Sequence, residues 1–322
     1  MKDNFEFLKH EKIILTEHLK SHLQKYMSVA IGIDLGGTRI KAVAIDAAGN
    51  VLHENYQPTN DGDDKVWKKA VATAVKELQT ILKVEDISIG LSAPGLPNDN
   101  NTAIACMPGR MQGLEHFSWT DFLNHPTYVL NDAVAAMMGE AKFGAAKNKK
   151  NVAMLTLGTG VGGAILIDGK PYQGSFNKAG HIGHMVVDHE GDCDVTGMPG
   201  SLEECIGNYT VHKRSNGKFN STHEMLDAYR NGDAVAKEVW MKSVRQLAAA
   251  LASVSNILSP EVIVLGGGIV QAGSVLFEPL NQYMSEFEWR PTGKGVEIVK
   301  AEYGDMAGAI GAACYAMERG GK

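Results

Sequence analysis

Three apolar runs end at clusters of glycine and organise the pattern of hydrophobic and polar positions along the chain. They span residues 28–34, 151–157 and 261–265, and the glycines follow at 36–37, 158–163 and 266–268. Short apolar runs bounded by turn residues predict buried strands. Glycine permits positive φ and close approach of the backbone to a ligand, and successive N–H groups can then point at an anion. Each turn alone is equally typical of an ordinary hairpin, but the three together predict a nucleotide held between two sheets.

The first half of the chain alternates predicted strands and helices. A three-stranded meander opens it, and an amphipathic helix and a buried strand follow. A later helix begins at Asp132, with Asn131 and Asp132 at its N-terminal cap. The predicted strands are 28–34, 39–46, 51–56, 86–92 and 127–130, and the predicted helices are 66–84, 119–124 and 132–143.

The second half opens with another meander, so the pattern contains a faint internal repeat. A loop-like stretch rich in Gly, His and acidic residues follows. After it comes a long stretch in which apolar residues recur with the period of a helix. Near the end, a helix of small residues is expected to pack closely on a glycine turn. The predicted strands are 151–157, 162–167, 170–172 and 261–265, the loop is 174–207, and the helical regions are 222–258 and 304–317.

Residues 1–27 carry apolar positions among charges and predict one or two amphipathic helices. The plain interpretation is an N-terminal arm that packs on the body. The alternative is half of a DNA-binding helix-turn-helix, which the scarcity of arginine disfavours. The segment has no apolar core of the kind that a secretory signal needs.

Composition narrows the function classes. A chain of 322 residues predicts two domains, and 44% hydrophobic with 21% charged residues is ordinary globular composition. A net charge of −6 disfavours a nucleic-acid-binding surface, and no apolar run approaches the roughly 20 residues that span a bilayer. The four cysteines form no disulfide framework, which predicts a reducing, cytoplasmic location.

Six short motifs occur in order along the chain, and together they resemble the ROK family of sugar kinases and repressors. They are D-L-G-G-T at 34–38, N-D at 131–132, G-T-G-V-G-G at 158–163, G-H-I-G-H-M at 180–185, S-L-E at 201–203 and G-G-G at 266–268. The resemblance runs from about residue 28 to residue 318. It implies an α/β fold of two actin-like (ribonuclease H-like) domains with an active-site cleft between them. The expected divisions are an arm at 1–27, a small domain at 28–130 with the C-terminal helix at about 304–322, and a large domain at 131–303.

The resemblance assigns Asp132 as the catalytic base. A sugar hydroxyl is a poor nucleophile, and a carboxylate that accepts its proton assists in-line attack on the γ-phosphoryl group of ATP. The alternative is that Asp132 only caps the following helix, although a helix N-terminus would also keep the carboxylate ionised. Asn131 is expected to hydrogen-bond a neighbouring sugar hydroxyl.

The glycine turns are expected to bind ATP. Asp34 would hold Mg²⁺, through water because this ion keeps much of its hydration shell. Lys41 would add positive charge near the phosphates, or else is a solvated strand residue. Gly266 and Gly267 would let the adenosine lie against the backbone. The residues expected to cradle the triphosphate are Gly36, Gly37, Thr38, Gly158, Thr159 and Gly160.

His184 and Glu203 are expected to line the sugar pocket, with a core histidine and a surface carboxylate as the plain alternatives. Many family members carry glutamate where this chain has His181, and neutral histidine offers one donor and one acceptor instead. This change, shared with kinases of the N-acetylmannosamine type, favours a sugar altered at C2. Arg110 stands where many members have an asparagine-leucine pair that contacts the sugar, so it too disfavours ordinary glucose.

A second departure concerns zinc. The family often carries C-x-C-G-x-x-G-C-x-E, which with a histidine makes a tetrahedral zinc site. Residues 193–203 read C-D-V-T-G-M-P-G-S-L-E, with one cysteine and with serine at the last ligand position. Zinc of this kind needs about four ligands, so we expect no zinc and a loop held by hydrogen bonds and proline. Cys205 lies on the wrong side of Glu203 to replace a ligand.

The sequence therefore predicts a cytoplasmic, ATP-dependent and Mg²⁺-dependent kinase of a hexose or N-acetylhexosamine. The resemblance also implies a homo-oligomer, a dimer or tetramer, without a nucleic-acid or membrane partner. Two alternatives remain. One is a sugar-responsive transcriptional regulator, which needs a DNA-binding module of roughly 60–80 residues before the first strand. The other is a sugar-binding protein without catalytic activity.

Overall fold

The computed structural model describes residues 29–60, 62–84, 87–107, 109 and 111–320. The arm predicted at 1–27 lies outside these residues. The chain forms two compact units. Of the described residues, the first contains those up to Leu130 and from Ala309 onwards, and the second contains those from Asn131 to Gly308.

The first unit is built on a five-stranded sheet of order β3-β2-β1-β4-β7. The strands β5 and β6, which follow β4 in the sequence, form a separate two-stranded ribbon. Strands β1 to β3 form the predicted antiparallel meander, and β4 pairs parallel with β1. The elements are β1 (Ala30–Leu35), β2 (Arg39–Ile45), β3 (Val51–Pro58), α1 (Asp64–Leu82), β4 (Ser88–Ala93), β5 (Leu96–Pro97), β6 (Ile104–Cys106), α2 (Trp119–Leu123) and β7 (Thr127–Asn131).

The core of this unit joins the inner face of the sheet to α1 and α2. Its aliphatic residues come from β1, β2 and β4, and two fully buried tryptophans close it from the helices. The rings of Trp67 and Trp119 lie 5.9 Å apart. Phe117 packs edge-on against Trp119 at 4.9 Å. Aromatic pairs at such distances add to the burial of apolar area.

The C-terminal helix also packs on this sheet, but at mid-strand and not on a glycine turn, so the prediction is wrong in that detail. Gly32 of β1 and Gly90 of β4 are register partners. A Cβ on Gly32 would lie 1.8 Å from the carbonyl oxygen of Ala309, and one on Gly90 would lie 1.8 Å from that of Ala312. The paired glycines therefore provide the groove into which the helix backbone fits.

The second unit has a sheet of order β10-β9-β8-β11-β12. Strands β8 and β9 are antiparallel, whereas β11 runs parallel to both β8 and β12. The elements are α3 (Asp132–Lys142), β8 (Val152–Leu157), β9 (Val161–Ile167), β10 (Lys170–Pro171), α4 (Leu202–Ile206), α5 (Val211–Arg214), α6 (Thr222–Arg230), α7 (Ala234–Leu258), β11 (Val262–Gly266), α8 (Ser274–Phe287) and β12 (Glu297–Lys300), followed by α9 (Ala307–Gly320) of the first unit.

Helix α7 is the long apolar segment that the sequence predicted, and its buried face packs with α4, α6 and α8 on the sheet. Its indole donor Trp240 Nε1 bonds to the carbonyl of Val275, 3.0 Å away. Glu140, buried near the end of α3, accepts the N–H groups of Glu302 at 3.1 Å and Tyr303 at 2.8 Å. These bonds fix the backbone that leads into α9. No helix among the described residues is both long and apolar enough to cross a membrane.

Candidate active site

Asn131 and Asp132 stand where β7 gives way to α3. Asn131 is 5% exposed, and its Oδ1 accepts the N–H groups of Ala133 at 3.0 Å and Val134 at 3.4 Å. Asp132 is exposed, and its Oδ1 also accepts from the N–H of Ala133, at 2.8 Å. Asn131 is thus the N-cap residue, and Asp132 is the first helical residue, where the helix dipole stabilises an ionised carboxylate.

The turn between β8 and β9 is held by hydrogen bonds within the turn and from the backbone of residues 208 and 209. Gly158 donates its N–H to the carbonyl of Gly160 at 2.9 Å, and the N–H groups of Asn208 and Tyr209 bond to the carbonyls of Gly158 and Thr159, each at 3.0 Å. Nothing lies within 4 Å of the position that a Cβ on Gly158 would take. The turn therefore has a fixed backbone and open space beside it, which suits the cradling of a phosphate.

The third glycine cluster ends β11, whose last residue pairs in register with Thr156 of β8. Because parallel strands end at the same edge of a sheet, this cluster and the turn after β8 share one edge of the second unit. Gly267 has φ of 88°, and a Cβ there would lie 2.3 Å from the carbonyl oxygen of Leu157. Only glycine fits both conditions.

Glu203 joins the predicted sugar-binding residues to this turn. It lies in α4, and its Oε2 accepts the N–H of Val161 at 2.8 Å. A Cβ on Gly160 would lie 2.1 Å from the same oxygen. The carboxylate thus lies directly against the turn that is expected to hold phosphate.

The G-H-I-G-H segment packs on β9 through its glycines. A Cβ on Gly183 would meet the carbonyl oxygen of Val161 at 1.8 Å, and Gly180, with φ of 91°, lies against Ala164. This close approach places the 3₁₀ turn Ile182–His184 beside the start of β9. One nitrogen of His184 and one carboxylate oxygen of Glu203 are members of a cluster whose ligand atoms all lie within 4.8 Å of one another.

The third member of that cluster is Asp194, which sequence reasoning missed. Its Oδ2 lies 3.1 Å from His184 Nδ1, and its side chain is 0% exposed. Burial alone would raise the pKa of Asp194, but hydrogen bonds from Thr196, Ser201, His184 and the N–H of Met198 outweigh it and hold the pKa well below its usual range.

His181 lies next to this group. Its ring stacks on that of His184 with centroids 6.3 Å apart and planes 12° from parallel. Burial, with the neighbouring His184 adding to it, lowers the pKa of His181. His181 is therefore mostly neutral near pH 7, and it offers one donor and one acceptor.

In the first unit, Asp34 and Lys41 face each other across β1 and β2 as register partners. Asp34 Oδ1 accepts from the Ser92 hydroxyl at 2.7 Å, and Oδ2 lies 3.4 Å from Lys41 Nζ. A carboxylate at a strand end suits Mg²⁺, which one or two carboxylates, water and substrate phosphates usually hold. Lys41 is thus an ion-pair partner of Asp34, and not merely a solvated strand residue.

The turn from Gly36 to Thr38 is fixed by Thr59. The hydroxyl of Thr59 donates to the carbonyl of Gly36 at 2.7 Å, and its N–H donates to the carbonyl of Thr38 at 3.1 Å. Gly37 lies half-buried between them. Arg110, the other residue expected to contact sugar, lies outside the described residues.

The loop that carries zinc in many family members lacks the family's cysteine ligands here. The family motif can be aligned on Gly197, Gly200 and Glu203. Its three cysteine positions then fall at 194, 196 and 201, which are Asp, Thr and Ser in this chain. The cysteine at 193 is therefore one position out of register, and it is exposed. Burial, with Asp188 adding to it, raises the pKa of Cys205 to about 11, which opposes the thiolate that zinc requires. The donor set does not fit a structural zinc ion.

The two five-stranded sheets with flanking helices are those of the actin-like ATPase fold. A glucokinase of Streptomyces griseus, solved in complex with glucose and AMPPNP, superposes with a TM-score of 0.75 at 26% identity, covering 90% of this chain and 100% of that one. The ROK family model matches residues 30–319. The chain belongs to the ROK family.

Relatives of the chain include sugar kinases. The chain is 28% identical to the glucokinase of Streptomyces coelicolor, over 91% of this chain and 98% of the relative. It is 31% identical to the N-acetylmannosamine kinase of Vibrio cholerae, over 88% of this chain and 97% of the relative. The chain is therefore homologous to sugar kinases along most of its length.

Proposed function

We propose that the protein transfers the γ-phosphoryl group of ATP to a hydroxyl of a hexose or N-acetylhexosamine. The observation that carries this proposal is the exposed carboxylate of Asp132 at the first residue of α3, beside a cap that Asn131 supplies. The homology to glucokinase and N-acetylmannosamine kinase supports the same reaction.

Asp132 acts as general base in this proposal. It accepts the proton of the sugar hydroxyl as that oxygen attacks the γ-phosphorus, and ADP leaves in line on the opposite side. General-base assistance of this kind is worth roughly 10²–10⁴-fold in rate. Ionisation of the carboxylate is favoured by the N-terminus of α3.

The phosphate-binding roles fall to backbone groups. The turns at Gly36–Thr38 and Gly158–Gly160 are the proposed phosphate sites, and Gly266 and Gly267 the proposed adenosine site. Asp34 would hold Mg²⁺ through water, and Lys41 would contribute positive charge. When bound, Mg²⁺ neutralises charge that develops on the phosphates.

The sugar-binding roles fall to side chains around the start of β9. Glu203 provides an acceptor for sugar hydroxyls, and His181 and His184 provide a mixture of donors and acceptors. Asn131 would hydrogen-bond a neighbouring sugar hydroxyl. A panel of glucose, mannose, fructose, allose, N-acetylglucosamine and N-acetylmannosamine with ATP would identify the substrate.

The decisive variant is Asp132→Asn. It should lower kcat by at least about 10²-fold, the lower end of general-base catalysis, while nucleotide affinity measured by calorimetry stays near that of the wild type. Asp168→Asn is the matched control, because it makes the same change at an exposed position with φ of 51°, where asparagine is well tolerated. An Asp132→Asn enzyme with near-wild-type turnover would overturn the proposed base.

A further inference from the structure

Asp194 accepts hydrogen bonds from three residues around one buried carboxylate. Its Oδ1 accepts from the Thr196 N–H at 2.8 Å, the Thr196 hydroxyl at 2.6 Å and the Met198 N–H at 3.1 Å. Its Oδ2 lies 3.1 Å from His184 Nδ1. The contacts of Oδ1 are local to the loop, whereas the contact of Oδ2 joins the loop to His184.

The chemistry of these contacts fixes the tautomer of His184. An ionised carboxylate can only accept hydrogen bonds, so the Nδ1 of His184 must carry a hydrogen. In the neutral ring, Nε2 then bears the lone pair and can accept a hydrogen bond. A histidine whose second nitrogen is fixed in this way presents a defined group to a ligand.

The same carboxylate also reaches the helix that carries Glu203. Ser201 is the N-cap residue of α4, where its hydroxyl oxygen accepts the N–H of Glu204 at 3.4 Å. The Ser201 side chain helps to keep the pKa of Asp194 low, and ligand atoms of His184, Asp194 and Glu203 all lie within 4.8 Å of one another. Asp194 thus lies beside both His184 and Glu203, the two side chains at the start of β9.

We propose that Asp194 is the positioning residue of the sugar site: it holds His184 as a hydrogen-bond acceptor at Nε2 beside Glu203, in place of the metal ion that closes this loop in many relatives. The sugar role of His184 and Glu203 rests on the proposed function. The tautomer of His184 and the absence of a metal requirement do not rest on the proposed function, because they follow from the contacts of Asp194 alone.

The rival is a cation held by His184, Asp194 and Glu203, whose ligand atoms lie close enough together. Two observations oppose it. Each oxygen of Asp194 already accepts hydrogen bonds, and Glu203 Oε2 accepts the N–H of Val161. A cation bound at these oxygens would compete with donors that are already in place.

The first experiment reads the tautomer directly. Long-range ¹⁵N–¹H NMR of the histidine rings, in mildly alkaline buffer, should show His184 with a protonated Nδ1 and an unprotonated Nε2. His184→Gln identifies the resonance by its disappearance. A wild-type spectrum with the hydrogen on Nε2 overturns the proposal, whatever any variant does.

The second experiment uses Asp194→Asn. Three donors surround Oδ1, so the amide oxygen should remain there and the NH₂ group should face His184. His184 must then offer its lone pair at Nδ1 and a hydrogen at Nε2, which reverses the group presented to the sugar. The KM for sugar should rise at least about tenfold, as for one lost hydrogen bond, and the KM for ATP should stay within about twofold.

Thr196→Val is the matched control. It removes a hydrogen bond to the same carboxylate without touching His184, so the tautomer and the KM for sugar should stay as in the wild type. If both variants raise this KM equally, Asp194 acts only by supporting the loop and the proposal fails.

Metal analysis of the purified protein separates the remaining outcomes. Less than stoichiometric metal, together with a melting temperature unchanged by a chelator, supports the proposal. One tightly bound ion per chain overturns it in favour of the cation site. If no sugar is phosphorylated by the wild type, the proposed function fails, while the NMR and metal measurements still decide the role of Asp194.

Discussion

The N–H of Val161 donates to Oε2 of Glu203 over 2.8 Å. This bond ties α4 to the first residue of β9, immediately after the turn at Gly158–Gly160. A residue proposed to contact sugar is therefore held by the backbone proposed to bind phosphate. A shift of either would move the other.

Glu203→Gln should weaken sugar binding selectively. The glutamine oxygen can still accept the N–H of Val161, so the link to β9 survives, but the second acceptor becomes a donor. We expect the KM for sugar to rise about five- to 150-fold, which corresponds to about 1–3 kcal/mol for a mismatched polar contact. Steady-state kinetics with sugar and ATP varied separately would measure it.

The control for this variant is Glu190→Gln, at a side chain that is 87% exposed. It should leave both KM values unchanged. An equal rise in the KM for ATP and for sugar in Glu203→Gln would contradict a selective role in sugar binding.

Gly90→Ala should destabilise the first unit severely. The added Cβ would lie 1.8 Å from the carbonyl oxygen of Ala312 and 2.2 Å from its carbon. These are backbone atoms that cannot rotate away, so α9 must lift from the sheet. We expect a loss of about 3 kcal/mol or more, above the usual range for overpacking, visible as a lower melting temperature.

Gly62→Ala is the control for that substitution, because a Cβ at Gly62 meets nothing within 4 Å. Its effect should stay within about 0.5 kcal/mol, as for most surface changes. Similar melting temperatures for the two variants would show that α9 does not depend on close approach to the sheet.

The sequence predicted the elements that carry strong local patterns. The first meander, the β8–β9 hairpin and the long helix α7 all follow from alternating or helical periods bounded by turn residues. The predicted strand at 261–265 is β11, Val262–Gly266. These elements could be predicted because each depends on a local apolar pattern that is visible in the sequence.

Elements between the third glycine cluster and α9 were missed. Helix α8 contains Pro279 in its interior, and proline is a signal against helix. Strand β12 is only four residues long and half-exposed, so it lacks the apolar run of a buried strand. In the predicted loop, α4 is a five-residue helix that depends on contacts with α7 and β9 for its stability.

The role of Asp194 could not be read from its local sequence, because an aspartate among Gly, Cys and Thr is typical of an exposed loop. Its side chain is buried, and one of its hydrogen-bond partners is His184, ten positions earlier in the chain. One signal was available. The glycines at 197 and 200 and Glu203 fix the register of the cysteine motif, and that register places Asp194 at a ligand position.

The buried thiol of Cys205 should make the protein sensitive to alkali. Burial raises its pKa to about 11, whereas an unfolded thiol ionises near about 8.5. Because the unfolded chain releases this proton first, the stabilising effect is complete below about pH 8.5 and is lost as pH rises toward 11. Ionisation of this thiol lowers the free energy of unfolding by at most about 1.4 kcal/mol per pH unit.

Thermal unfolding of Cys205→Ala across this pH range would test the effect. The variant should start from lower stability, because it loses buried volume, but should fall less steeply with pH than the wild type. Cys193→Ala, at an exposed cysteine, should fall in parallel with the wild type. Parallel curves for both variants would mean that Cys205 ionises as easily in the folded protein.

A zinc site should be recoverable in the Asp194 loop by three substitutions. His184 and Thr196 already bond to the carboxylate of Asp194, and Ser201 is close enough to help lower its pKa. The variant with Asp194→Cys, Thr196→Cys and Ser201→Cys would replace that carboxylate and its donors with three thiolates, and with His184 it would offer the four ligands of a tetrahedral zinc site. We expect one zinc ion per chain by metal analysis, and a melting temperature that falls when a chelator removes it. Adding His184→Ala to the triple variant removes one of the four ligands and should weaken zinc binding. A triple variant that folds but binds no zinc would show that these four side chains do not share a common point, and the geometry assigned to Asp194 would have to be abandoned.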